Sequence, residues 1–535
     1  MSESANNEVV AGAPTRASGS LLPDLGDIIF LCLLYLTIGL LPNFVLNDGS
    51  TGWHLVTGQY ILQNLSIPHQ DLISYTFPDK PWVAYEWLPD VVAAGLDKVG
   101  GLKLLAVASC SAIAGLFLLL YEDCRAEGCH FLPAAILTVV GALTSSVHWL
   151  ARPILFTFFG VYVFSRSLEA FRRGKLSAGK LQLILGFTTL VWVNSHPAFL
   201  MGFALTIIYL CGEAACAIVA TGERGRQAAW RRTVVLFGAL SLSVLVSLIN
   251  PYGAGLYSYV SQYLHQSAVL SSNTEFMSPS FHGEFQSTCL ELLFLALALA
   301  LAASRVRPAL SPLLCVLAFA HLALSGLRNE PVFVIVALPF IARTFASASP
   351  VDSFREAGSP SGGLVARVKE CWIAAGKNFD EVEAICRLHA IPLTVVLFLV
   401  VSCFFDGKVL GRTVVSSSFD ERSKPTATLE YIRREKLPWA HGFNFDNWGG
   451  YIRYVSGERV FIDDRSDFYG EPFYLEYGQV SLLEPGWQHV LDKYKIQWVL
   501  FPTNSKLACR LKEEPGWKLV DQDSAASLFL RCPSK

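Results

Sequence analysis

Asn47-Asp48-Gly49-Ser50-Thr51-Gly52-Trp53-His54 opens a stretch that reaches Lys103 and runs through Asp71-Leu72-Ile73-Ser74-Tyr75-Thr76 and Pro81-Trp82-Val83-Ala84-Tyr85-Glu86-Trp87-Leu88. It is polar and aromatic, broken by Gly and Pro, and lies between two long apolar runs. An acid at the very end of an apolar run is costly to hold there unless it has a task, so Asp48 is the first candidate for chemistry. What flanks the stretch decides the fold class.

Of 535 residues, 52% are hydrophobic and 16% charged, and the mean hydropathy is +0.41. Soluble domains carry about 25% charged residues, so composition alone marks a membrane protein. A net charge of -2 gives no basis for nucleic-acid binding. Apolar runs long enough to span fall at about 28–46, 102–121, 131–149, 153–170, 181–195, 198–219, 233–250, 288–303, 309–326, 330–347 and 389–405, about eleven in all. The expected class is a polytopic α-helical membrane protein, residues 28–405, with a C-terminal extracytoplasmic α/β domain, residues 406–535. Residues 1–27 read as a disordered cytoplasmic tail.

Alternate loops carry the basic residues: Arg172, Arg173, Lys175 and Lys180; Arg224, Arg226, Arg231 and Arg232; Arg305 and Arg307; Arg355, Arg367, Lys369 and Lys377. By the positive-inside rule the N-terminus is then cytoplasmic, 47–101 is a first outer loop, 251–288 a late outer loop and 348–388 an inner linker. An odd span count puts the C-terminal domain outside.

Polar residues gather at the outer span ends: Arg152-Pro153, Asn194-Ser195-His196-Pro197, Asn250-Pro251-Tyr252-Gly253 and Arg328-Asn329-Glu330-Pro331. Taken one at a time, each reads as a helix cap or a snorkelling side chain. Their common side argues for a site. Arg152, His196 and Arg328 suit an anionic headgroup, since Arg pairs phosphate bidentately and keeps its charge near lipid. Asp48 suits a general base or a ligand for a divalent cation; its plainer role is to cap the Asp48-Gly49 turn. Glu86, between Tyr85 and Trp87, should be desolvated and raised in pKa, which fits acid/base work as well as an interfacial anchor. His54 is a base, a phosphate partner or an aromatic-belt residue, and Glu275 is a second acid in the late loop.

In the tail, Pro425–Lys436 and Pro485–Tyr494 read as helices, Arg459–Asp463 as a strand ending on acids, Ile496–Phe501 as a buried strand, and 517–530 as a hairpin. Asp463-Asp464-Arg465-Ser466-Asp467 could bind sugar hydroxyls or a metal, or form a salt-bridged turn. Cys509 and Cys532 could pair in an oxidising compartment.

These residues resemble the C-type (GT-C) membrane glycosyltransferase superfamily, whose first outer loop carries a catalytic acid after the first span; Asp48 holds that place. Ser272-Asn273-Thr274-Glu275 resembles the late-loop glutamate motif of the oligosaccharyltransferases, and Phe445-Asp446-Asn447-Trp448-Gly449-Gly450-Tyr451 looks like a distant form of their Trp-Trp-Asp-Tyr-Gly motif. The pattern around Trp53-His54-Leu55 and Glu86-Trp87-Leu88 is also similar to uncharacterised bacterial multispan proteins of that group.

The resemblance implies an integral protein of the bacterial inner membrane. It would move a sugar from a polyprenyl-phosphate donor among the membrane lipids to a glycan, lipid or protein acceptor at the outer face. Asp48 and Glu275 would be catalytic, alone or with Mg or Mn as the divalent cation, assisted by Glu86 and His54. Arg328, Arg152 and His196 would hold the lipid phosphate, and Trp448, Asp463, Asp464 and Arg465 would serve the acceptor. The sequence departs from the family in three places. The Trp-Trp-Asp-Tyr-Gly motif is not intact. Asn47-Asp48 replaces an Asp-Glu pair. Arg152 stands in the second outer loop where related enzymes have acids. A transporter or lipid-binding scaffold without chemistry is the alternative; it requires a midplane cavity open in turn to both sides.

Overall fold

A computed structural model describes residues 23–265, 274–347 and 389–532. Residues 1–22 of the expected tail, the inner linker (348–388) and Ser272-Asn273 lie outside these residues, whereas the end of the expected tail is already helical from Leu25. The chain is a polytopic helical membrane protein. Seven helices are long and apolar enough to cross a membrane, and four shorter apolar helices, Leu25–Leu40, Ala178–Val193, Leu310–Ser325 and Ala390–Cys403, fall at the remaining expected runs.

Two expected spans change shape. The first run begins with Asp24 accepting the Asp27 amide at 2.7 Å, an N-cap that fixes the helix start. It passes into a π-helical turn, Tyr35–Leu40, and stops before Pro42, which lacks the N–H a helix would need. The second is longer than its apolar run: Trp87–Ala126 joins two helices across Gly100-Gly101, and Gly101 takes φ +69°, a conformation that favours glycine. The shorter helix before the glycines therefore belongs to the Asn47–Lys103 stretch.

The C-terminal region holds a small hairpin, β1 (Lys408–Val409) with β2 (Arg412–Thr413), and a four-stranded sheet. In that sheet β3 (Gly442–Asn444) runs parallel to β4 (Trp498–Pro502), and β4 pairs antiparallel with β6 (Ala526–Arg531), which pairs with β5 (Trp517–Gln522). The two expected helices appear as Thr426–Arg434 and Trp487–Lys493. The expected strand at Arg459–Asp463 is absent, because its backbone is spent elsewhere. Val460 exchanges bonds with the first stretch (Val460 N to Ile73 O, 3.0 Å; Tyr75 N to Val460 O, 2.8 Å), and the Asn444 side chain serves Phe461 N and Ile462 O. Cys509 and Cys532 are free.

The same stretch docks on the C-terminal region a second time. The helix Thr51–Asn64 lies against Asp446–Ser456 with glycines at the crossing. A Cβ on Gly52 would stand 2.3 Å from Gly450 O, and one on Gly450 2.7 Å from Gly49 O. The Gly-rich residues of both motifs thus let two helices approach backbone to backbone. The join roofs one end of the helical bundle, and the site lies beneath it.

Candidate active site

Three helix starts and two loops meet under this roof. Glu86 precedes Trp87–Ala126, Arg152-Pro153 precedes Ile154–Arg172, and His196 caps the turn Pro197–Phe199, its Nδ1 accepting the Ala198 amide at 3.3 Å. Glu275 and Arg328 come from two facing 3-10 turns. Together with His54, His148 and Asp464–Asp467, these residues line a polar cavity of about 120 Å³. It shares His54, Arg152 and Pro153 with an apolar groove of about 330 Å³, walled by residues such as Leu96, Leu105, Phe156 and Phe159.

Glu86 sits between two imidazoles. His54 Nε2 is 4.0 Å from one carboxylate oxygen and His196 Nε2 is 3.7 Å from the other, each gap too long for a direct hydrogen bond. The outer contact of each ring is fixed. His54 Nδ1 lies 2.6 Å from Asp90 Oδ1, and both side chains are buried. His196 Nδ1 accepts the Ala198 amide and so bears no proton; the Thr157 hydroxyl, which accepts from Trp192 Nε1 at 2.9 Å, therefore donates to that Nδ1, also 2.9 Å away. A neutral His196 then carries its proton on Nε2, facing Glu86. Burial pushes the Glu86 carboxyl up to about 8, and the charge of Asp467 adds to the rise. Burial, with Arg152 nearby, holds His54 well below its usual pKa, and burial with Arg328 does the same for His196.

A second group of charges faces this one. Arg152 Nε is 3.3 Å from Asp48 Oδ2, and its Nη1 donates to Glu275 Oε1 at 2.8 Å. Burial alone would raise Glu275, but the guanidinium overrides it and holds that carboxyl near 2. The same two acids raise Arg152 well above its usual value against the effect of burial. Asp48 Oδ2 also accepts the Ser50 amide at 3.0 Å and the Ser50 hydroxyl. Asp48 itself does not line the cavity; it stands behind Arg152. Arg328 stacks on Phe276 with 4.4 Å from Cζ to the ring centroid, and among the described residues no carboxylate lies within ion-pair distance of it. Both ring nitrogens of buried His148 lack a partner among the described residues.

Several expected acceptor residues are placed in the framework instead. Trp448 is buried and donates to Ser423 O at 2.8 Å, outside the cavity lining. Asp463 takes Arg465 at 2.8 and 2.7 Å, and Arg465 also donates to Asp71 Oδ1 at 2.7 Å, all three fully buried. Arg465 still borders the cavity, with Nη1 unpartnered. Asp464 borders it too, accepting from Trp53 Nε1 at 2.8 Å, and burial with Asp48 alongside keeps its carboxyl well above the usual range. Sequence reasoning missed Asp90 and His148 and gave Asp71 no role in the site. Asp467, expected only as part of the acid-rich turn, accepts from Tyr259 at 2.8 Å and Tyr85 at 3.1 Å.

No protein-family model matches the chain, and no curated protein matches it. Solved structures do. The crystal structure of the Archaeoglobus fulgidus oligosaccharyltransferase in the apo form superposes with a TM-score of 0.55 at 13% identity, covering 89% of this chain and 68% of that one. ArnT from Cupriavidus metallidurans bound to undecaprenyl phosphate gives 0.46 at 14% identity, covering 95% and 98%. Its apo form gives 0.48 at 15%, covering 94% and 97%. The first likeness shows the fold, which this chain shares with that oligosaccharyltransferase.

Proposed function

We propose that the chain is a membrane glycosyltransferase that takes a sugar from a polyprenyl-phosphate donor and passes it to an acceptor at the outer face of the membrane. One observation carries the reading. A polar cavity holding the Arg328 guanidinium, with no carboxylate in ion-pair range among the described residues, shares His54, Arg152 and Pro153 with an apolar groove. That pairing suits an amphiphile with an anionic head: the phosphate against Arg328 and His148, the isoprenoid chain in the groove. The positive-inside reading puts this end, and the C-terminal region over it, outside the cytoplasm. A cavity at one end of the bundle, roofed by the C-terminal region, also argues against a carrier, which needs a midplane site.

In the transfer itself, an acceptor O–H or N–H lies against Glu86. Its oxygen or nitrogen bonds to the anomeric carbon while its proton passes to the Glu86 carboxylate. The bond from that carbon to the phosphate oxygen breaks, and its electron pair leaves with the polyprenyl phosphate. Attack opposite the leaving group inverts the anomeric centre. Arg328 stabilises the charge growing on the phosphate. His54 and His196 hold Glu86 between them and bridge to it through the acceptor or a water. Asp48 keeps Arg152 in place from behind.

Native mass spectrometry of the purified chain with undecaprenyl phosphate tests the donor half. One lipid phosphate should bind per chain, and Arg328→Ala should weaken it by about tenfold or more. Equal binding by the two proteins, or none to either, would overturn the proposal.

A further inference from the structure

The resemblance to the oligosaccharyltransferases implies a divalent cation held by Asp48 and Glu275. The residues present do not fit one. The space between the two carboxylates is taken by the Arg152 guanidinium, 3.3 Å from Asp48 and 2.8 Å from Glu275. A second cation lies close by: the buried Lys424 ammonium donates to Asp48 O at 3.0 Å. Asp48 Oδ2, the oxygen turned to Arg152, already accepts from the Ser50 amide and hydroxyl as well. An Mg or Mn ion needs several oxygen ligands at about 2.0–2.2 Å and would here meet a fixed positive charge at contact distance. Among the described residues, the one Asp/Glu/His group with ligand atoms close enough for a metal is Asp24, Asp27 and His389, at the opposite end of the bundle.

We infer that Arg152 is a built-in replacement for the divalent cation: its guanidinium bridges Asp48 and Glu275 and makes this site metal-independent. The inference deepens the reading of the cavity as a lipid-phosphate site, because it names the positive charge that works there. Two features of the guanidinium agree with it. A planar guanidinium has enough donors to serve two carboxylates and still face the cavity it lines. Its charge cannot be stripped by a chelator or lost to deprotonation at any working pH. The arrangement also fixes the late loop, since Glu275 is drawn to the same guanidinium that holds the first loop through Asp48.

The test is Mn2+ binding to the purified full-length chain in detergent, read by the loss of the free-ion signal in electron paramagnetic resonance. It needs neither donor nor acceptor, so its failure is separate from failure of the transfer reading. Wild type should show no Mn2+ site that depends on Asp48. Arg152→Ala should bind Mn2+ at least about tenfold more tightly than wild type, since a like charge at contact range is removed. The gain should vanish in the double variant Arg152→Ala, Asp48→Asn. Arg152→Lys, which keeps the charge, should not show it. Two results would overturn the inference: a wild-type Mn2+ site lost in Asp48→Asn, or an Arg152→Ala protein of native elution and melting behaviour that gains no Mn2+ binding. If Arg152→Ala does not fold, the comparison of wild type with Asp48→Asn decides alone.

Discussion

Two clusters of buried charge lie at opposite ends of the helical bundle, and they are built in opposite ways. At the end away from the cavity, Glu127 and Glu169 are held by arginines from three directions. Arg343 donates to both, at 2.7 to 3.0 Å; Arg173 reaches both at 2.7 Å; Arg172 reaches Glu169 at 2.8 Å through two nitrogens; and Tyr209 adds a bond at 3.1 Å. The space left there is about 30 Å³. At the cavity end, the Glu86 carboxylate stands 3.7 and 4.0 Å from its nearest imidazoles, and among the described residues His148 has no partner and Arg328 no acid. The residue types are alike. A network with every donor and acceptor used ties helices together; one with gaps around groups that want a partner is shaped for something that arrives.

Breaking each cluster should therefore give different losses. Glu86→Gln should cut transfer by about a thousandfold, the size expected when a general base is removed, while the protein still binds the lipid phosphate. Transfer within a few-fold of wild type would place the base elsewhere. Glu169→Gln, at the other end, should leave kcat within a few-fold and lower stability by about 3 kcal/mol, because it leaves buried arginines without their counter-charge. Calorimetry or a thermal-shift assay measures the second loss and a transfer assay the first. A Glu169→Gln protein of normal stability but poor turnover would erase the distinction.

Asp48→Asn lies between the two. Asp48 touches Arg152 and not the cavity, so the change should cost about tenfold in kcat/KM and leave the pH profile in place, since Glu86 sets that profile. A shift of the profile, or a loss as deep as that of Glu86→Gln, would make Asp48 the base, as the family motif implies.

The helical architecture was legible because a spanning helix needs little beyond a long apolar run. The runs gave the helices, and the basic loops hinted at sides. The site was only half legible. Arg152, His196, Arg328 and Glu86 could be found because each is polar at the end of an apolar run, where such residues need a reason. Their partners could not: Asp90 looks like an ordinary first-turn acid, and Thr157 and Trp192 sit within apolar runs, yet together they set what His54 and His196 face. Arg172 and Arg173 read as topological charges from their loop alone; only the fold brings Arg343 to the glutamates they hold. The missing strand at Arg459–Asp463 has the same cause. Its pattern suited a strand, but contacts from Ile73 and Asn444, far away in sequence, took its hydrogen bonds first.

The smallest expected effect tests whether the gap around Glu86 is real. Burial raises this carboxyl to about 8 in the folded protein, against an ordinary value of 4.5 in the unfolded chain. Below pH 4.5 both states hold the proton and Glu86 costs nothing. Between 4.5 and 8 the unfolded chain releases the proton while the folded one keeps it, so wild-type stability falls as pH rises through that window and levels off above it. Glu86→Gln has no proton to release. The Tm of the variant relative to wild type should thus rise by a few degrees between pH 5 and pH 8, while its transfer activity stays lost. Wild-type transfer should run the other way, rising about tenfold per pH unit below 8, because only the ionised carboxylate accepts the acceptor's proton. In Glu127 and Glu169 every carboxylate oxygen is held by a cation, so Gln there should lower Tm across the whole range. Opposite signs at the two ends would show that one cluster is built for stability, whereas the other keeps a desolvated acid at a cost to the fold because the reaction uses it. The same sign at both would mean that the ionised Glu86 is already paired, leaving it no role as the base.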